Sequence, residues 1–147
     1  ASVGDHDLVA PVAAELGMAQ SFYKVAMRPG KPLMAGRLGA SAMVGLPGNP
    51  VSALVCGRVF LVPMLTAMLG LPAAPARRRT APLSTAVPAN GPREQYMRAV
   101  IDDTGVRPLP AQDSSLLATL ATANALLIRP VGDPARPAGT AAQFIPL

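Results

Sequence analysis

Eleven residues, Met43-Val-Gly-Leu-Pro-Gly-Asn-Pro-Val-Ser-Ala53, constrain this chain more than any others, because they join a short apolar strand, a tight turn and a helix start without a spare residue. Asn49 can cap the helix, and Pro50 suits the first helical position, where its fixed φ fits and its missing N–H would be unpaired anyway. A helix begun this way directs backbone N–H groups and its positive dipole end at the turn, which suits phosphate or another oxyanion. Gly48 lets a ligand approach the backbone closely. A plain strand-to-helix turn fits the same residues, since Gly-Asn-Pro turns also form for local reasons.

A second cluster bears on that choice. Lys24-Val-Ala-Met-Arg28-Pro-Gly-Lys31-Pro32 places three cations around a Pro-Gly turn, as a polyanion would require, although solvated loop charges are common. Near the start, Ser2-Val-Gly4-Asp5-His6-Asp7 sets two carboxylates two residues apart. They could share a Mg²⁺ ion with substrate phosphate, or simply cap the helix that follows. His6 is the single histidine and Cys56 the single cysteine. That leaves no zinc site built from His and Cys, and little support for Cys-His or Ser-His-Asp catalysis. Cys56 reads as a small buried hydrophobe.

Up to residue 72 the signals alternate between helix and strand. A helix is expected over 8–16, strands near 20–25, 33–37 and 42–46, and a helix over 51–69. Leu54, Leu61, Leu65 and Met68 should form the buried stripe of that last helix, and Pro63 should kink it. Arg58 and Pro63 interrupt its apolar run, so no stretch reaches the roughly 18 uncharged apolar residues of a membrane span. The Pro/Ala-rich segment 71–79 ends in Arg77-Arg-Arg79 and reads as a linker. From residue 81 the pattern is β: a strand over 96–101, a hairpin turn at 102–105, a returning strand at 106–109, one or two helical turns within 114–123, then strands at 125–130 and 143–147. The expected class is an α/β unit over 1–72, a linker over 73–80, and a small, mostly β unit over 81–147. Half the residues are hydrophobic with no Trp, so the cores should be aliphatic.

The formal charge of +5 is spread out, with five cations against three acids up to Pro72 and eight against five after it. Single-strand nucleic acid needs aromatic platforms between cations, and two Tyr without Trp supply few. Neither a nucleic-acid nor a membrane partner is expected. With no signal-peptide pattern in view, a cytoplasmic protein is expected.

In this order, the Ser2–Asp7, Lys24–Pro32 and Gly45–Ala53 motifs resemble one family, the molybdopterin molybdenumtransferases of the MoeA/gephyrin type. Weaker likeness extends through Gly91-Pro-Arg-Glu-Gln-Tyr-Met-Arg98 and Gln112-Asp-Ser-Ser-Leu-Leu-Ala-Thr-Leu120. The resemblance implies the C-terminal half of a molybdopterin-binding α/β domain followed by a barrel-like β domain, within a longer chain that also has two N-terminal domains. The implied parent activity takes adenylylated molybdopterin (molybdopterin-AMP) and molybdate, hydrolyses the adenylate with a divalent metal such as Mg²⁺, and releases AMP and molybdenum cofactor. A homodimer is expected, and the 147-residue piece alone should be inactive, with a sheet edge unpaired and apolar surface uncovered.

The resemblance also implies a site. Asp7 matches an acidic position and is the expected metal ligand; Lys24 and Lys31 match basic positions; Pro47 and Pro50 match prolines that shape the pocket turn. Arg28 stands where lysine is more usual, keeping the charge and adding a planar fork. The expected catalytic group is Asp7, Lys24 and Arg28. The expected molybdopterin-binding group is Ser2, Gly4, Asp5, Lys31, Pro47, Gly48, Asn49, Pro50 and Ser52. A molybdopterin adenylyltransferase-like module shares the α/β fold and the Leu-Pro-Gly turn, though the β tail argues against it. A non-enzymatic scaffold of the gephyrin type is the other alternative.

Overall fold

The computed structural model describes residues 8–113 and 117–147. The first half carries α1 (Val9–Glu15), β1 (Ala19–Tyr23), β2 (Met27–Arg28), β3 (Met34–Leu38), β4 (Ser41–Gly45), and a helix from Pro50 to Met68 made of α2 (Pro50–Cys56), a π segment (Gly57–Leu61) and α3 (Val62–Met68). The second half carries β5 (Arg79–Pro82), β6 (Glu94–Asp102), β7 (Gly105–Pro108), α4 (Leu117–Thr122), β8 (Ala125–Arg129) and β9 (Ala141–Pro146). β1, β3 and β4 form an antiparallel sheet in the order β1-β3-β4. The second sheet runs β2-β6-β8-β9-β5, with β7 also on β6.

β6 organises the second half. β8 lies along one edge of it, while the other edge takes β2 in parallel at Glu94–Gln95 and β7 in antiparallel at 99–102. The β6–β7 hairpin turns where Asp102 Oδ1 accepts the Thr104 N–H at 2.9 Å. Gly105 then takes φ +118°, and a Cβ there would fall 2.2 Å from the Pro82 carbonyl oxygen. Only glycine fits such a close approach of two backbones. The sheet curls until Leu83, just past β5, meets Val106 of β7 in a single parallel bridge. It is therefore barrel-like without being a closed barrel.

Its two faces bury different cores. Inside the curl lie Leu83, Val87, Ala99, Val106, Ala125, Leu127, Ala142 and Phe144. On the outer face Tyr96, Leu126, Ile128 and Ile145 pack against Met27, Leu33, Val55 and Cys56 of the first half. β8 faces both cores, and all five of its residues are buried. Such a strand reads as the continuous apolar run Ala125-Leu-Leu-Ile rather than as an alternation.

One expectation differs from the structure and two are refined by it. The stripe Leu54–Leu61–Leu65–Met68 is not the buried face of the long helix: Leu54 is 58% exposed and Met68 65%. Val51, Ser52, Val55 and Cys56 are buried instead. The reason is proximity: Cys56 Sγ lies where a Cβ on Gly30 would approach to 2.4 Å, and a row of leucines could not come so near. Pro63 acts through the turn before it. Proline cannot donate to residue 59 and would crowd its carbonyl, and the helix widens there into a π segment, with the Val62 N–H bonded to the Gly57 carbonyl. Finally, segment 73–80 is exposed except for Ala76, which joins the shared core, and Arg79 and Thr80 already belong to β5.

By length and composition the Pro50–Met68 helix is long and apolar enough to cross a membrane, despite Arg58. In this fold one side of it is packed in the shared core, and Arg58 Nε donates to the Pro146 carbonyl at 3.2 Å.

Candidate functional site

The loop between β1 and β3 folds back on itself, with Lys24 N–H on the Leu33 carbonyl and Val25 N–H on the Lys31 carbonyl, at 2.9 and 3.0 Å. Its middle, β2, leaves the first unit to pair with the start of β6, where the Glu94 N–H also reaches the Ala26 carbonyl at 2.9 Å. Arg28 to Pro32 thereby form one wall of a cleft of about 620 Å³. Ser52, in the first turn of the long helix, lines it too. The opposing wall comes from the second unit: Arg93, Gln112 and Asp113.

That wall is built on β6. Gln112 replaces a missing strand partner between β2 and β7: its Oε1 accepts the Arg98 N–H at 3.0 Å, and its Nε2 donates to the Arg98 and Leu109 carbonyls at 2.8 and 2.7 Å. Behind it Arg98 is buried, its Nη2 donating to the Ala111 and Asp113 carbonyls at 3.2 Å each. Arg98 Nε has no partner among the described residues. Burial, opposed by Asp113 and reinforced by nearby Arg28, holds the Arg98 guanidinium below its usual range. With three cations and one carboxylate on its walls, the cleft favours an anion.

The helix start takes the capping expected from the sequence. Asn49 is the N-cap and Pro50 the first helical residue. Asn49 Oδ1 accepts the Ser52 N–H at 3.1 Å, and the Ala53 N–H goes to the Asn49 carbonyl at 2.9 Å. The Ser52 N–H is thus consumed by the cap, while the Ala53 N–H makes the first ordinary bond within the helix, and the cations on the cleft wall are side chains. Of the expected site residues, Arg28, Lys31 and Ser52 line the cleft; Pro47, Gly48, Asn49 and Pro50 shape the turn leading to Ser52 and do not line it. Lys24 is held in a left-handed conformation, φ 65°, with its ammonium 4.9 Å from the Tyr23 ring centroid rather than on the cleft wall. Ser2, Gly4, Asp5 and Asp7 lie outside the described residues.

Sequence reasoning did not single out Arg93, Gln112 and Asp113, although they lie in the two segments of weaker family likeness. Among the described residues no group of three His, Cys, Asp or Glu side chains is placed to hold a metal. Cys56 packs as a hydrophobe, its thiol pushed up to about 12 by burial.

Comparison with known proteins follows this division. Residues 1–67 match a family model described as a probable molybdopterin binding domain, and residues 80–147 match the MoeA C-terminal region, domain IV. Molybdopterin molybdenumtransferase 2 of Mycobacterium tuberculosis is 41% identical over 108 residues, covering 72% of this chain and 27% of that protein. The Bacillus subtilis molybdopterin molybdenumtransferase is 29% identical over 98% of this chain and 34% of its own length. The chain thus spans about a third or less of these relatives. A molybdopterin biosynthesis MoeA protein of Pyrococcus horikoshii shares the fold at a TM-score of 0.77, with 24% identity over 95% of this chain and 34% of that one. A molybdenum cofactor biosynthesis protein of Pyrococcus furiosus does so at 0.74, with 19% identity over 88% and 46%.

Proposed function

The chain belongs to the molybdopterin molybdenumtransferase family, the MoeA type, and we propose on that premise that it supplies an oxyanion cleft to an enzyme of molybdenum cofactor biosynthesis. The observation that carries this reading is the gathering of Arg28, Lys31 and Arg93 with Ser52 around one cleft between the two units. The proposed substrates are adenylylated molybdopterin and molybdate, and the proposed products AMP and molybdenum cofactor. The adenylyltransferase alternative is set aside because residues 80–147 match a MoeA region.

In this role the chain binds and polarises. Arg28 presents a planar fork suited to two oxygens of a phosphate or molybdate, and Lys31 adds a point charge. Negative charge that builds on those oxygens during transfer is stabilised by cations already in place. Ser52 Oγ donates to Asn49 Oδ1 at 3.4 Å, which leaves its lone pairs free for the cleft. No described residue on the cleft is an evident nucleophile, so attack on the adenylate is assigned to water. Mg²⁺ belongs to the proposal through Asp7. The described cleft offers one carboxylate, Asp113, which is short of a ligand set, and no step is assigned to the metal. A cytoplasmic homodimer, with a domain boundary between 72 and 81, completes the proposal.

The test is molybdate-dependent release of AMP from adenylylated molybdopterin by the protein carrying this cleft. Arg28→Met should lower turnover by about tenfold or more, the value of a charge-assisted hydrogen bond. Turnover unchanged by both Arg28→Met and Lys31→Met would remove the cleft from the reaction.

A further inference from the structure

Arg93 reaches the cleft from the residue just before β6 and is pinned on both sides. On the C-terminal side the Glu94 N–H bonds to Ala26 and opens the β2–β6 pairing. On the N-terminal side Asn90, which does not line the cleft, donates from Nδ2 to three carbonyls: Arg93 at 2.8 Å, Arg129 at 3.0 Å and Pro130 at 2.7 Å. An amide nitrogen carries two hydrogens, so one of them is shared, and the opposite amide orientation would set oxygen against three oxygens. The Asn90 N–H bonds to the Asp133 carbonyl at 2.8 Å and the Gly132 N–H to the Gly91 carbonyl at 3.0 Å. The Asp133 carboxylate in turn is gripped by Arg129 and Arg136.

We propose that Asn90 is a positioning residue for the cleft: by gathering the Arg93, Arg129 and Pro130 carbonyls onto one amide, it anchors Arg93 to the Arg129–Asp133–Arg136 group around the buried Asp133 carboxylate and fixes where its guanidinium meets the bound oxyanion. The inference rests on the reading of the cleft as an anion site. Aspartate would lose the donors, and alanine would leave the three carbonyls to water, so neither can hold Arg93 in place.

A double-mutant cycle on the 147-residue chain tests it, with AMP and molybdate titrated separately by calorimetry below every variant's unfolding temperature. Arg93→Met should weaken binding by about tenfold. Asn90→Ala should weaken it by about threefold or more, and the double variant should bind no more weakly than Arg93→Met alone, because residues acting as one unit are not additive. Asn90→Ser, which keeps one donor, should fall between wild type and Asn90→Ala, and it carries the cycle if the alanine variant does not fold. Losses that multiply, or an Asn90→Ala variant that melts earlier yet binds as wild type, would overturn the assignment and leave the anion reading intact. A wild-type chain that takes up neither probe would overturn both.

Discussion

At Gly30 the backbone takes φ +111° on the cleft wall while Cys56 Sγ of the long helix fills the space a Cβ would need. The residue thus joins two functions, seating the helix and shaping the anion loop. Gly30→Ala combines backbone strain with overpacking and should cost about 2–4 kcal/mol in chemical denaturation. An unchanged midpoint would show that loop and helix can separate freely. The same packing explains the inertness expected of Cys56, because a thiol pushed up to about 12 holds almost no thiolate at pH 8. Labelling by a thiol reagent should therefore follow global unfolding, and rapid labelling of the native chain would contradict the packing. At this scale the sequence was legible where a residue acts on its own neighbours, as in the Asn49 cap and Pro50 at the first helical position. Arg93 and Gln112 were not, because nothing local distinguishes a cleft-lining arginine from a solvated one until β2 crosses to β6.

Among the elements, the turn between β8 and β9 is held by charge more than by apolar burial. Asp133 is 5% exposed and accepts from Arg129 and Arg136, and Arg129 Nη2 also donates to the Pro134 carbonyl at 2.8 Å. Burial alone would push its carboxyl up, but the two guanidiniums outweigh burial and hold it below the usual range. A depressed carboxyl adds stability that is fully present above its unfolded pKa, near ~4, and is lost as pH falls through the lower native value. Asp133→Asn should therefore cost about 2 kcal/mol near neutrality, less than a fully enclosed pair because Arg136 is partly exposed. The gap between wild type and variant should close below about pH 4 in acid denaturation. A gap constant with pH would assign the loss to packing. β6 was legible from alternation, β8 from its continuous apolar run and the Asp102–Gly105 hairpin from turn chemistry, whereas β5 fell partly inside the expected linker. Periodicity located the long helix but misjudged its buried face. It carries apolar rows on two sides, and only the partner surface around Gly30 decides between them.

For the whole molecule, the misjudged leucine row becomes a property of the assembly. Leu54, Leu65 and Met68 remain exposed, and Leu54, Leu61 and Leu65 line a groove of about 610 Å³ with Leu46, Leu120 and Leu147. At the two ends of α1, Leu8 and Leu16 are 69% and 66% exposed and border a second apolar hollow against Leu38 and Met43. Exposed apolar faces of this kind favour association, each gaining about 25 cal/mol for every Å² removed from water. The 147-residue chain should consequently self-associate in light scattering or sedimentation, increasingly with concentration. Because Leu54 and Leu65 make part of the groove while standing half in solvent, Leu54→Lys with Leu65→Lys should reduce that association and shift stability by about 1 kcal/mol or less, as exposed substitutions do. Added charge that leaves association intact would move the responsible surface to α1, where Leu8→Lys with Leu16→Lys repeats the test. A chain that stays monomeric at about 0.1 mM, well above the micromolar affinities of ordinary interfaces, would show that these faces are tolerated in water and that the apolar rows serve the fold alone.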